Sequence, residues 1–336
     1  MRKYSSLIEQ NTAPEGVEYI GVYNSAGVRV GKINVASLKF PEIGNKLYSF
    51  GAVADIHLQA DTAQADFQKA LTFFNETENV DFICVCGDLS NSGVIAEHTP
   101  YRNIVNTYSP DTPVYECTGN HDVASVAGGT IGSITGNALY YTFAKGNDLF
   151  IMFGMQGWSS YTGEIFTETA LQWLYDILES NRNKRCFVFQ HCFRNDGSGK
   201  SYPGSPTVDL LNSDRGKVFQ SLTEHYKNVV WFHGHSHMDF DSQEDCYYAN
   251  YDRMHGCHSI HIPSLAHPKD YQGNAYVNMY SQSEGYVVDV YENHIVLRGR
   301  DFVADTFTPI ATYCIDTTLQ NINAKTYTDS TGTIKT

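Results

Sequence analysis

Five short polar segments, each next to an apolar run, contain residues whose types can bind metal ions. They are Asp55-Ile56-His57, Gly87-Asp88, Gly119-Asn120-His121-Asp122, His191 and Gly234-His235-Ser236-His237. Carboxylate, amide and imidazole ligands suit manganese, iron, zinc and cobalt, whereas calcium prefers oxygen alone. The segments supply enough ligands for two ions. Because two metals about 3.5–4 Å apart form a clamp for phosphoryl transfer, the sequence predicts hydrolysis of a phosphate ester.

A pair of metal ions needs one ligand that contacts both. A carboxylate has two oxygens for this task, and Asp88 is the natural candidate. Asp55 and His57 point the same way if the backbone between them is extended, and they are then expected to share one ion. His235 and His237 have the same spacing, but they lie in a glycine-containing loop. They can therefore diverge and bind different ions.

The runs between these segments predict the elements that position the ligands. Apolar runs predict strands over residues 47–54, 80–86, 113–117, 185–190 and 229–232, and helical spacing predicts helices over 62–76, 167–181 and 208–226. This alternation favours an α/β sheet. Polar residues that follow the carboxyl ends of strands fit the rule that open α/β sheets build their sites there.

The two ends of the chain read differently from its centre. Residues 17–23 and 28–35 are short β-type runs around a turn at 24–27, so we expect a hairpin. A second hairpin is expected at 285–291 and 294–300, and a last strand near 310–315. These patterns divide the chain into a β-hairpin appendage (1–45), a catalytic domain (46–300) and a C-terminal strand and tail (301–336).

The five segments resemble, in type and in order, the motifs of the calcineurin-like metallophosphoesterase superfamily. Its pattern is D-x-H, GD, GNH followed by Asp or Glu, a single His, and GHxH. The resemblance extends over residues 47–300. It implies an α/β fold, the four-layer α/β/β/α sandwich, to which the small N-terminal β appendage is added.

The resemblance also implies roles for the motif residues. Two divalent ions (Mn²⁺, Fe²⁺ or Fe³⁺, or Zn²⁺) would be held, one by Asp55, His57 and His237, the other by Asn120, His191 and His235, with Asp88 between them. A hydroxide that bridges the metals would attack phosphorus. His121 resembles the histidine that protonates the leaving oxygen, and Asp122 is expected to orient its ring.

Two differences from related branches of the superfamily narrow the choice of substrate class. Protein phosphatases of the superfamily have an arginine soon after the GD motif, and residues 89–93 contain none. Purple acid phosphatases have a metal-binding tyrosine where this chain has Asn91. The remaining likeness is to small-molecule phosphodiesterases. A phosphomonoesterase or nuclease of the same superfamily, and a non-catalytic assembly or interaction protein that retains the fold, are the alternatives.

The charge of the chain bears on its partners. A formal net charge of −14 disfavours long nucleic acids, whose binding proteins usually have a basic surface. We expect a small phosphoester as the substrate. Arg194 and Lys200, in the loop after His191, and His267 are candidates for binding it. Solvated loop charge is the alternative for the first two, and a rim position is the alternative for His267.

Compartment and partners follow from what the sequence lacks. No run of 18 or more apolar residues is present, so no membrane span is expected. The basic N-terminus is not followed by the apolar region of a secretory signal, which favours a cytoplasmic protein. An extracellular or virion-attached protein without such a signal is the alternative. The N-terminal appendage is a candidate for binding a protein partner. Most of the eight cysteines are expected to be buried thiols, and a bridge between Cys246 and Cys257 is left open.

Overall fold

Two six-stranded sheets form the centre of the protein. The computed structural model describes residues 19–23, 29–34, 45–58, 62–123, 138–157, 164–194, 197–199, 210–240, 250–252, 256–272, 275–318, 327–328 and 334–335. The first sheet has, from edge to edge, β16 (Thr306–Asp316), β15 (His294–Asp301), β14 (Glu284–Val290), β3 (Tyr48–Val53), β4 (Phe82–Cys86) and β5 (Val114–Cys117). The second has β10 (Tyr251–Asp252), β11 (His258–His261), β9 (Val229–His233), β8 (Cys186–Phe189), β7 (Asp148–Phe153) and β6 (Tyr140–Lys145).

The helices connect these strands. They are α1 (Ala63–Thr72), which continues as a π-helical turn at Phe73–Thr77, α2 (Ile95–Tyr108), α3 (Asn120–Val123), α4 (Glu168–Ser180) and α5 (Asp214–His225), preceded by a 3₁₀ turn at Leu210–Asn212. The predicted cap at Thr167 is confirmed, because its hydroxyl accepts a hydrogen bond from the Ala170 amide at 3.2 Å. Such a bond satisfies one of the amides that a helix leaves unpaired at its start.

The core between the two sheets is aromatic. Phe50 of the first sheet contacts Phe150 and Phe187 of the second, with ring centroids 5.4 and 5.7 Å apart. Because side chains alternate along a strand, the next residues face outwards onto helices. Val53 and Ile83 pack in one cluster with Phe67 of α1, and on the other side Val188, Trp231, Leu174 and Phe219 form another cluster. The order helix, sheet, sheet, helix confirms the predicted four-layer α/β/β/α sandwich.

Strand direction brings the motif segments to one edge of this sandwich. β3, β4 and β5 are parallel to each other in the first sheet, and β7, β8 and β9 are parallel in the second. Asp55, Asp88 and Asn120 follow the carboxyl ends of the first three strands, while His191 and the 235–237 segment follow β8 and β9. All five motif segments therefore lie where parallel strands end.

The ends of the chain add smaller elements. β1 (Tyr19–Tyr23) and β2 (Arg29–Asn34) pair antiparallel, which confirms the N-terminal hairpin. β14 and β15 form the predicted late hairpin. β16 lies beyond the predicted boundary at 300, yet it is the edge strand of the first sheet. Two further pairs are β12 (Lys269–Gln272) with β13 (Ala275–Asn278), and β17 (Tyr327–Thr328) with β18 (Ile334–Lys335).

Within the described ranges, no helix is both long and apolar enough to cross a bilayer.

Candidate metal centre

The loops that carry the motif residues have an unusual backbone. Five of the seven predicted ligands have positive φ angles: Asp55 (54°), His57 (44°), Asp88 (52°), His235 (72°) and His237 (61°). Non-glycine residues rarely adopt this region, and each instance costs about 1–3 kcal/mol. The premise that the chain from Asp55 to His57 is extended is therefore wrong. The side chains still converge, since His57 Nε2 lies 3.8 Å from Asp55 Oδ1.

Hydrogen bonds between the loops hold this backbone in place. The Asp55 amide donates to the Gly87 carbonyl at 3.1 Å, and the His57 amide donates to the Asp88 carbonyl at 2.9 Å. The His235 amide donates to Asp55 Oδ2 at 3.0 Å, which joins the two sheets and leaves Oδ1 for another partner. These bonds offset part of the backbone strain.

Glycine is required where the loops approach each other most closely. Gly87 has a φ of 81°, and a Cβ there would lie 2.5 Å from His191 Nδ1. At Gly234, a Cβ would lie 2.3 Å from Asp55 Oδ2. Any side chain at either position would displace a predicted ligand, which gives the glycines of the GD and GHxH segments a steric reason.

The first group of potential ligands consists of Asp55, His57, Asp88 and His237, whose ligand atoms all lie within 4.8 Å of one another. His237 Nε2 is 3.0 Å from Asp55 Oδ1 and 3.1 Å from His57 Nε2. His57 Nε2 is 3.6 Å from Asp88 Oδ2. All four residues are buried, so the group is a compact pocket for one cation.

The second group consists of Asp88, His191 and His235, again within 4.8 Å. His191 Nε2 lies 3.1 Å from Asp88 Oδ2. His191 Nδ1 donates to the Cys86 carbonyl oxygen at 2.8 Å, the kind of bond that turns the other ring nitrogen towards a metal. Asp88 belongs to both groups, while His235 and His237 are divided between them.

Buried atoms without hydrogen bonds show whether the pocket suits a metal. Asp55 Oδ1, His191 Nε2 and Asn120 Oδ1 are buried, and none of them has a hydrogen-bond partner in the described part of the chain. An unsatisfied buried polar atom costs about 1–3 kcal/mol. Cations placed among these atoms would remove that cost, and the nitrogen and oxygen donors suit manganese, iron or zinc. The residues present therefore fit two divalent ions.

The shifted pKa values of Asp88 and His191 also indicate a site for cations. Burial alone would raise the pKa of Asp88, but the imidazoles of His191 and His57 hold it below its usual range. Burial alone would lower the pKa of His191, but the carboxylates of Asp88 and Asp55 raise it to about 10. The pocket thus favours positive charge between the two aspartates, whether a proton or a metal ion supplies it.

His121 and Asp122 are placed differently from each other. The ring of His121 is 4.6 Å from that of His57 at an angle of 85°, and its Nδ1 bonds to the Asn91 carbonyl oxygen at 2.6 Å. Asp122 instead accepts from the amides of Gly119 and Ser90 at 2.8 and 2.9 Å. The expectation that Asp122 orients His121 is therefore wrong, because its carboxylate is occupied in fastening two motif loops together.

The predicted substrate residues have three different positions. His267 lies within 4.8 Å of ligand atoms of His57 and His237. Arg194 forms a salt bridge with Glu224 of α5, so its charge is already paired. Lys200, like Cys246, lies outside the described residues, and Cys257 is buried.

Sequence reasoning missed two residues that shape this site. The sequence marks Asn91 only as the position where purple acid phosphatases have a tyrosine, yet its main-chain carbonyl oxygen accepts a hydrogen bond from His121 Nδ1. Ser264 donates from Oγ to the Asp55 carbonyl at 3.0 Å and accepts from the His267 amide at 3.1 Å. A main-chain acceptor leaves no signal in the sequence, and a lone serine after Pro263 is too common to single out.

Comparisons with known proteins bear on the family and on the fold. The sequence profile of the calcineurin-like phosphoesterase family matches residues 48–239. No curated protein sequence matches significantly. Among solved structures, GAP50, the anchor in the inner membrane complex of Plasmodium, has a TM-score of 0.53 at 14% identity and covers 82% of this chain and 90% of its own.

A second similar structure is Vps29 of Cryptosporidium parvum, with a TM-score of 0.38, 10% identity, and coverage of 81% of this chain and 100% of its own. At 14% identity, GAP50 bears on the fold alone. The profile match spans more than half of the 336 residues and includes all seven predicted ligand positions, from Asp55 to His237. The chain belongs to the calcineurin-like phosphoesterase family.

Proposed function

We propose that this protein is a metal-dependent phosphoester hydrolase with two divalent ions and a preference for phosphodiesters. The observation that carries the proposal is the pair of buried ligand groups that share Asp88. One shared carboxylate between two such groups is the arrangement that places two ions side by side. A cluster of histidines with a purely structural role would not need one carboxylate common to two groups. It would also not need buried nitrogen and oxygen atoms that lack hydrogen bonds.

Each ion has a defined set of candidate ligands. Asp55, His57, Asp88 and His237 would hold one, and Asp88, Asn120, His191 and His235 the other. Ions held there would acidify a water molecule and polarise the phosphoryl oxygens. The chain itself excludes bulk water from the ligand atoms, since Asp55, Asp88 and His191 are almost completely buried.

His121 is the residue for proton transfer in this proposal. It is partly exposed, its ring contacts that of His57, and the Asn91 carbonyl oxygen fixes its orientation through Nδ1. Nε2 is then available to transfer a proton to the leaving oxygen. Such a transfer is worth about 10²–10⁴ in rate, most of all when the leaving group is a poor one.

The preference for a diester follows from charge. A phosphate monoester carries up to two negative charges near neutral pH, because its second pKa is about 6, whereas a diester carries one. Arg194 is paired with Glu224, and the GD segment has no arginine. Because Arg194 is engaged with Glu224 and the GD segment supplies no arginine to match a dianion, we expect the site to suit the less charged ester. The net charge of −14 also supports a small substrate over a long nucleic acid.

The test is hydrolysis of bis-p-nitrophenyl phosphate and p-nitrophenyl phosphate by metal-stripped protein to which manganese, zinc, iron or calcium is returned. We expect turnover with a transition metal, faster on the diester, and none with calcium. The Asp88→Asn protein, treated in the same way, measures any contaminating phosphatase. Two bound ions without turnover of either ester or of a broader set of phosphodiesters would overturn the proposal and favour a non-catalytic interaction protein.

A further inference from the structure

His267 lies beside the first ligand group, although the motif pattern of the superfamily does not include it. His57, His237 and His267 have ligand nitrogens that all lie within 4.8 Å of one another. The His267 ring centroid is 5.3 Å from that of His57, with 23° between the ring planes, and 5.5 Å from that of His237. Three imidazoles at this spacing are enough to hold a metal ion.

The backbone around His267 is fastened to both ligand loops of the first group. On one side, Ser264 Oγ bonds to the Asp55 carbonyl and to the His267 amide, at 3.0 and 3.1 Å. On the other side, the Lys269 amide donates to the His237 carbonyl at 2.7 Å. His267 is therefore positioned by the same contacts that position two ligands, and its place beside them does not depend on a free loop.

Two overlapping sets of ligands meet at this point. Both contain His57 and His237; one adds the carboxylates of Asp55 and Asp88, and the other adds His267. We propose that His267 is a fifth protein ligand of the ion held by the first group. This inference rests on the proposed function, because it assumes that the first group holds an ion.

A fifth ligand would make the two metal sites unequal. The first site would have three imidazoles and two carboxylates, and the second would have two imidazoles, one amide and the shared carboxylate. Imidazole favours zinc, copper, iron and nickel, whereas carboxylate and water suit manganese and magnesium. His267 would therefore bias the first site towards zinc over manganese, and this selectivity can be measured without any substrate.

The experiment is a calorimetric titration of metal-stripped, full-length protein with Zn²⁺ and, separately, with Mn²⁺. His267→Ala should weaken zinc binding at one of the two sites by about tenfold or more, and manganese binding by less. The visible absorption of bound Co²⁺ should change as well, because it depends on the number and type of ligands. Imidazole added to the solution should restore part of the zinc affinity and of the cobalt spectrum.

His121→Ala is the matched control. His121 also places its ring against His57, at 4.6 Å, but it belongs to neither ligand group of the structure. Its removal should leave both zinc dissociation constants unchanged. His267→Gln, which retains a polar side chain, replaces His267→Ala if the alanine protein shows an altered circular dichroism spectrum before metal is added.

The outcomes separate this inference from the proposed function. If wild-type protein binds two ions and both His267 variants match its zinc affinities and cobalt spectrum, His267 is not a ligand. A raised KM in those variants would then assign it to the substrate. If wild-type protein fails to bind two ions, the proposed function fails first, and the role of His267 falls with it.

Discussion

The structure contains two kinds of fully buried histidine, of which His191 and His261 are examples. His191 has one ring nitrogen on a main-chain carbonyl and the other beside two aspartates, with no hydrogen bond among the described residues. His261 has both nitrogens satisfied, Nε2 by Ser236 Oγ and Nδ1 by Asn250 Oδ1, each at 2.8 Å. They differ because His191 has a ring nitrogen, Nε2, that lacks a hydrogen bond and faces two carboxylates.

Their pKa values separate them further. Burial lowers the pKa of His261 to about 3, so this residue is a neutral, hydrogen-bonded part of the core. Burial acts on His191 as well, but Asp88 and Asp55 raise its pKa to about 10. A buried histidine that attracts positive charge has the environment of a metal ligand, whereas one that rejects it has the environment of a packing residue.

His261 nevertheless helps to position the loops that carry the predicted ligands. Ser236, the partner of His261, stands between His235 and His237 in the chain. Gly199, in the loop that follows His191, packs so closely on the His261 ring that a Cβ there would lie 2.3 Å from Cδ2. His261 therefore braces two loops that carry predicted ligands, and its own ring nitrogens are taken up by Ser236 and Asn250. Four experiments test whether this division between ligand and packing residues holds.

The largest effect should come from Asp88→Asn. The shared carboxylate loses its charge and one acceptor oxygen, so at least one ion should be lost and turnover should fall by about a thousandfold or more. Metal content by plasma mass spectrometry and kcat on the diester are the measurements. Asp289→Asn, which changes a buried carboxylate paired with Arg298 in the first sheet, is the control and should keep both ions. Full activity of the Asp88→Asn protein would exclude a bridging role.

The His121→Ala substitution should cause the second-largest loss of activity. It should keep both metals and lose about 10²–10⁴ in kcat on an ester with an alkoxide leaving group. The loss should be smaller on the p-nitrophenyl ester, whose leaving group needs little help from a proton. Equal losses on the two esters would point to a role in binding, and an unchanged rate on the alkyl ester would remove the acid role.

Removal of metal from wild-type protein should have an intermediate effect. An ion at a free concentration of about 100 Kd stabilises the folded state by about 2.7 kcal/mol, which for a domain of this size corresponds to a change in Tm on the order of 5 °C. Calorimetric scans with and without a chelator measure it. The Asp88→Asn protein should show a smaller difference. Identical Tm values for wild-type protein under both conditions would argue against tightly held ions.

His261→Ala should have the smallest effect on metal and a clear effect on stability. It leaves Ser236 Oγ and Asn250 Oδ1 buried without their partner, at a cost of about 1–3 kcal/mol each. Urea unfolding of metal-free protein should show this loss, while metal affinity should fall by no more than about 100-fold. If this variant loses its ions as completely as Asp88→Asn, the distinction between the two kinds of histidine is broken.

The alternation of strands and helices was readable from the sequence where the apolar pattern is regular. The strand before Asp55, the helix capped by Thr167 and the late hairpin were all predicted within a few residues. The helix α2 was not, because Pro100 lies inside it and proline disfavours a helix interior. The β6–β7 hairpin was also missed, although Gly146 with a φ of 59° provides the turn between two aromatic runs.

The sequence by itself determined which side chains can bind metal and that they follow apolar strands, because residue type and the period of apolar residues are local properties. It did not determine how the loops turn. Five of the predicted ligands adopt positive φ angles. Hydrogen bonds between loops maintain these angles, such as the bond from the His235 amide to Asp55, two residues that are 180 positions apart. Only the tertiary structure shows that Asp122 fastens loops, that Arg194 is already paired, and that His267 lies beside His57 and His237. Each of these depends on contacts between segments distant in the chain, and no local pattern encodes them.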